Sequence, residues 1–174
     1  MGRGKTTAGK YVMIHLPQIR DHIKDVLGNL GSKYASDDAV ELVLTTGIVE
    51  SGYRYIRQIS GPARGFWQVE PSTSHDNVVS YLSYRGHLLK KCAKASNTPM
   101  DIWENSNVDK WGEVLETNLS AGIIHCRLKY WRSPGPIPSD TNGMAKYWKE
   151  NYNTDLGAGT VRHYTDAVTK HLGE

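Results

Sequence analysis

The chain reads as a mainly α, single-domain protein, and three observations lead there. Apolar residues recur at helical spacing along most of the 174 residues. Few segments alternate with the period of two that a half-buried strand requires. Clusters of glycine and proline divide the chain into helix-length pieces. A chain of this length is expected to form one domain with a sizeable core.

Each element has its own justification. Residues 1–15 form a basic, flexible N-terminal tail, and the domain occupies 16–174. Pro17 fits the first turn of a helix running through Ile19, Ile23, Val26 and Leu27, with Gly28 and Gly31 ending it. Ser36 is a good N-cap, followed by Asp37 and Asp38 where the helix dipole favours anions. That helix carries Val40, Val43, Leu44 and Ile48 and delivers Glu50 at its C-terminal end. Residues 51–70, with three glycines and a proline, read as a structured loop. A helix starts near Thr73 and continues, with a break near Gly86, to about Ala95. Residues 96–110 read as a loop onto which Trp103 docks. Residues 112–131 carry the longest helical pattern, stopped by Ser133-Pro134-Gly135-Pro136-Ile137-Pro138. A short helix follows over 142–150, and Thr160 caps a last one through Val161, Tyr164 and Val168.

Composition excludes several classes. With 39% apolar and 22% charged residues the chain is neither disordered nor fibrous. No apolar run is long enough for a membrane span. Residues 1–10 lack the apolar segment of a secretory signal peptide. The net charge of +3 would suit an anionic polymer, but no basic cluster is dense enough to point to nucleic acid. Cys92 and Cys126 match no zinc spacing and read as free thiols by default, a single bridge remaining open.

The chemistry concentrates between Glu50 and Thr73. A carboxylate at a helix end, facing a Gly-rich turn with an aromatic and an amide, suits acid-catalysed cleavage of a sugar chain. Such an acid needs a raised pKa, which burial against apolar walls supplies. Phe66 and Trp67 are the candidate walls, as either core residues or a sugar platform. Gln68 offers an amide to a sugar hydroxyl or N-acetyl group. Ser51 reads as fixing the helix end, since no Ser-His-Asp set is legible. His75 and His125 read as helix residues, and no zinc motif is present. Gly2-Arg3-Gly4-Lys5-Thr6 lacks the first glycine of a P-loop.

Glu50-Ser51-Gly52, followed by Gly65-Phe66-Trp67-Gln68-Val69-Glu70-Pro71-Ser72-Thr73, resembles the lysozyme-like lytic transglycosylases. Asn118-Leu119-Ser120-Ala121-Gly122-Ile123 resembles a second block of that family, and Tyr152-Asn153 a degenerate third. The pattern including Tyr147-Trp148-Lys149 also looks like domains of tailed-phage virion proteins. The resemblance implies a lysozyme-like fold that cleaves the MurNAc-GlcNAc β-1,4 bond of peptidoglycan. Glu50 would be the general acid and base, and Ser51, Gly65, Phe66, Trp67, Gln68, Tyr152 and Asn153 the substrate-binding set. Tyr152 would hydrogen-bond Glu50. A transglycosylase needs one carboxylate, whereas a hydrolase needs another group to position water. Goose-type lysozymes are similar here and carry an acidic residue at the position of Glu70, the candidate second carboxylate; Asp76 is a more remote one. No metal or organic cofactor is implied. The expected partners are glycan strands and other tail or ejection proteins, and the expected place of action is the virion at the host wall. The alternatives are a non-enzymatic virion protein that keeps the fold, a hydrolytic lysozyme or endolysin, and a chitinase-like glycosidase.

Overall fold

Ser36 caps a helix as its sequence context requires: its hydroxyl accepts the Ala39 N–H at 3.2 Å, and α2 runs from there over Asp37–Glu50. In this computed structural model, which describes residues 14–153 and 157–173, α2 follows α1 (Leu16–Leu30). Then come α3 (Pro71–Val79), α4 (Gly86–Ala95), α5 (Met100–Asn105), α6 (Val108–Thr117), α7 (Leu119–Trp131), α8 (Thr141–Trp148) and α9 (Val161–Leu172). The fold is mainly helical, and the described residues contain no strand beyond isolated bridges in the 57–69 loop. No described helix is long and apolar enough to cross a membrane. Residues 1–13 of the basic N-terminal tail and 154–156 of the Tyr152-Asn153 block lie outside the described residues.

Two helices form the interior. α2 and α7 are buried along most of their lengths and on most sides rather than on one stripe, with Thr45, Thr46, His125 and Arg127 among the enclosed residues. α1 and α9 pack on α2, while α1, α3, α4 and α6 surround α7. One continuous core joins them, with the Trp67, Trp103, Trp111 and Trp148 side chains fully enclosed. Most polar groups inside find partners, the exceptions among the described residues being the Ser74 hydroxyl, the Trp111 indole N–H and His125 Nε2. Thr46 Oγ1 pairs with the Tyr130 hydroxyl at 2.8 Å, and Arg127 Nε donates to the Tyr34 carbonyl at 2.9 Å.

The structure departs from the sequence reading in three places. Gly28 lies inside α1, and Gly31, at φ 136°, ends it. The expected loop over 96–110 holds α5 and the start of α6, because Pro99 sits at the N-cap position and Asn107 accepts the Lys110 N–H at 2.8 Å. The expected helix over 112–131 is two helices. Asn118 is extended between them, and its side chain caps α7 by accepting the Ala121 N–H at 2.9 Å. Cys92 and Cys126 are free and buried.

Candidate active site

The chain turns sharply after Glu50. Gly52 (φ 59°) and Tyr53 (φ 53°) both adopt left-handed backbone conformations, folding the segment back beneath the helix end. The Tyr53 hydroxyl donates to the Leu44 carbonyl at 2.9 Å. Gly47 leaves room for that ring, since a Cβ there would fall 2.3 Å from it. Ser51 Oγ donates to the Phe66 carbonyl at 2.7 Å and accepts the Tyr53 N–H at 3.0 Å. The helix end and the 65–67 loop are therefore tied by one buried hydroxyl.

The loop carries its own fixing. Arg64 and Val69 exchange backbone hydrogen bonds of 2.9 and 3.1 Å. Gly65, at φ 74°, passes so close to α6 that a Cβ would lie 2.7 Å from the Leu115 carbonyl oxygen. Gln68 is also left-handed (φ 48°), and its side-chain amide donates to the Gly65 carbonyl at 2.8 Å.

The Glu50 carboxyl is half-buried and opens on a cleft of about 600 Å³. Its Oε1 accepts the Trp148 indole N–H at 2.8 Å, and the Tyr55 hydroxyl donates to its backbone carbonyl at 2.7 Å. Burial raises its pKa from 4.5 to about 7, against the opposing pull of the Trp148 donor and the Lys129 ammonium. Lys129 is held beneath: its Nζ donates to the Tyr152 carbonyl at 2.7 Å and lies 4.2 Å from the centroid of the Tyr152 ring. Burial lowers the pKa of Lys129, while Glu50 works in the opposite direction. A carboxyl of this kind is neutral for part of the time near pH 7, as a general acid must be.

The expected site residues separate into those the cleft gathers and those it does not. Ser51, Asn153 and Glu50 all line it, although the Ser51 hydroxyl is buried and spent on the loop tie rather than open to a ligand. Trp67 is a core residue, not a sugar platform: it is 1% exposed, and its indole N–H donates to the Val43 carbonyl at 2.8 Å. Tyr152 does not reach Glu50, because its hydroxyl donates to the Trp67 carbonyl at 2.6 Å. Trp148 takes the place expected of it. Gly65 is buried, while Phe66 and Gln68 are half-buried behind the loop rather than along the cleft. Glu70 is exposed and lines a separate groove with Arg57, Arg64 and Glu116. Asp76 is held below the usual carboxylate range by Ser80 and Arg132.

Several cleft residues were not expected. His163, Asp166, Ala167, Lys170 and His171 form one wall. They recur at helical spacing on α9, on a stripe beside the buried Tyr164 and Val168, and that stripe was the available signal. Arg54, Tyr55 and Gln58 come from the loop after α2. Among the described residues no three His, Cys, Asp or Glu side chains group to hold a metal ion. None of the known protein-family models, curated proteins or solved structures compared with the chain matches it.

Proposed function

We propose that this protein is a lysozyme-like, peptidoglycan-cleaving lytic transglycosylase with Glu50 as its general acid and base. One observation carries the reading: Glu50 ends a buried helix, opens on a cleft, and is held near pKa 7 beside a single indole donor. With Trp148 occupying Oε1, the proton of the neutral acid belongs on Oε2. Transfer of that proton to the glycosidic oxygen breaks the C1–O bond, and the substrate's N-acetyl carbonyl stabilises the resulting cation. The carboxylate then takes the proton from the muramyl C6 hydroxyl as its oxygen closes on C1, giving a 1,6-anhydro product. The resemblance of the Tyr147–Asn153 block to tailed-phage virion domains supports placing this activity in a virion that opens the host wall during genome entry.

Hydrolysis is the second reading, and Asp166 favours it. This exposed carboxylate lines the Glu50 cleft, which Glu70 does not, and it could position a water. Mass spectrometry of muropeptides released by the protein and by Glu50→Gln separates the readings. Anhydromuramyl products lost in the variant support the transglycosylase, whereas reducing ends lost in the variant support the hydrolase. Products unchanged in the variant, or no cleavage by folded protein, would remove Glu50 from the chemistry.

A further inference from the structure

We infer that a basic cavity between the C-terminal end of α1 and α4 binds a linear phosphodiester polymer of the polyol-phosphate kind, through charge rather than base stacking. Residues 77–100 contain Arg85, Lys90, Lys91 and Lys94 and no Asp or Glu, so this segment alone exceeds the +3 of the whole chain. The fold adds Lys33 to it. Lys33, Arg85, His87 and Lys91 line a cavity of about 470 Å³ together with Tyr34 and Tyr81, and no carboxylate enters the lining. This cavity shares no residue with the Glu50 cleft.

Lys33, Arg85 and Lys91 are held by aromatic rings and carbonyls instead of acids. The Arg85 guanidinium lies 3.9 Å from the centroid of the Tyr81 ring, and its Nη1 donates to the Tyr81 carbonyl at 3.0 Å. The Tyr81 hydroxyl is fixed in turn by the Trp131 indole N–H at 2.7 Å. The Lys33 ammonium sits 5.2 Å from the Tyr34 ring centroid and 5.5 Å from that of Trp131. Lys91 Nζ donates to the Leu30 carbonyl at 3.3 Å. None of them takes part in an ion pair among the described residues. Their charge is positioned but not neutralised.

The rest of α4 extends the pattern. Leu88, Leu89, Cys92 and Ala93 face the core, which leaves His87, Lys90, Lys91 and Lys94 on the outer face. A solvated helix face normally mixes signs, and like charges one turn apart weaken a helix. Lys90 and Lys94, one turn and roughly 6 Å apart along the axis, match a chain with regularly spaced anions. The rings in the cavity already carry the protein's own cations, which disfavours a stacked base as the recognised group. The exposed Tyr84 stands outside the lining.

The test is anisotropy titration of the full chain with fluorescein-labelled poly(glycerol phosphate). Binding that engages three or four phosphates should weaken about 20–50-fold between ~50 and ~200 mM salt. The double variants Arg85→Gln/Lys91→Gln and Lys90→Gln/Lys94→Gln should each lose several-fold in affinity, and the quadruple variant more than tenfold. Lys90 and Lys94 are exposed, so their pair decides the matter if the Arg85 variant fails to fold. The N-terminal basic residues remain in every variant. Unchanged affinity in the folded variants would therefore move binding off this face and overturn the inference. Tighter binding of a charge-matched oligothymidylate would overturn it in favour of nucleic acid. Equal binding of polyglutamate would overturn phosphate as the recognised group.

Discussion

Glu50→Gln should change stability in a way that depends on pH, and this tests the site without any substrate. Glu50 binds its proton more tightly in the folded protein, with a pKa of about 7 against 4.5. The stabilisation from its neutral form is therefore fully present below pH 4.5 and lost as pH rises through about 7. At about 1.4 kcal/mol per tenfold change in proton affinity, the loss is at most about 3 kcal/mol. Solvent access from the cleft lowers this to about 1–3 kcal/mol. Glutamine keeps an acceptor for the Trp148 N–H but has no charge to bury. Urea and thermal unfolding of both proteins should give a fixed offset at about pH 4, with the variant gaining about 1–3 kcal/mol on the parent by about pH 8. For a domain of this size that gain is about 2–12 °C in Tm. His125 is enclosed by Trp103 and Trp111, and burial depresses its pKa from 6.5 to about 3. It makes both proteins lose stability as pH falls below 6.5 and cancels in the difference. A difference that is the same at every pH would refute a raised Glu50 pKa, and with it the proposed acid.

Trp148→Phe removes the indole donor to Oε1, so the Glu50 pKa should climb further above about 7; carbon-13 NMR titration of the carboxyl reads this directly. Lys129→Met removes a cation that favours the Glu50 carboxylate, so the alkaline limb of the cleavage profile should move up, and a downward shift would refute the assigned interaction. Gly65→Ala places a methyl 2.7 Å from the Leu115 carbonyl oxygen at φ 74°. It should cost about 2–3 kcal/mol in urea unfolding, while a cost below about 0.5 kcal/mol would show that the loop relaxes freely.

What the sequence made legible was local. Ser36 declared its helix because its cap lies three residues away, and the run through Val40, Val43, Leu44 and Ile48 carried it to Glu50. The Thr160 cap was readable for the same reason, with its bond to His163 N. What stayed hidden depends on contacts across the chain. Trp67 had two equal readings because its deciding acceptor, the Val43 carbonyl, is 24 residues away. Trp148 lies 98 residues from Glu50, so nothing in its neighbourhood reveals the bond. The carboxylate-free segment 77–100 looked sparse along the chain, and only the packing of α4 beside Lys33 gathers it into one face. The helices within 96–110 were hidden for another reason: a proline such as Pro99 ends one helix and equally suits the start of the next, and the polar composition there does not distinguish the two.

Under the proposed mechanism, an acid that must later serve as a base gains nothing from an extreme pKa. Fully desolvated, Glu50 would hold its proton too firmly to act as a base; fully solvated, it would be ionised before it could act as an acid. The fold sets these tendencies against each other with parts from distant elements. The end of α2 half-buries the carboxyl, while Trp148 of α8 donates to one oxygen and Lys129 of α7 supplies positive charge from beneath. The π-helical turn Lys149–Asn153 couples the last two, since it continues from Trp148 and its Tyr152 carbonyl anchors Lys129. Wide turns of this type occur disproportionately at functional sites. Here the turn has a definite geometric consequence: shifting it would move the indole donor and the ammonium together, and the balance that places Glu50 near neutrality would change from both sides.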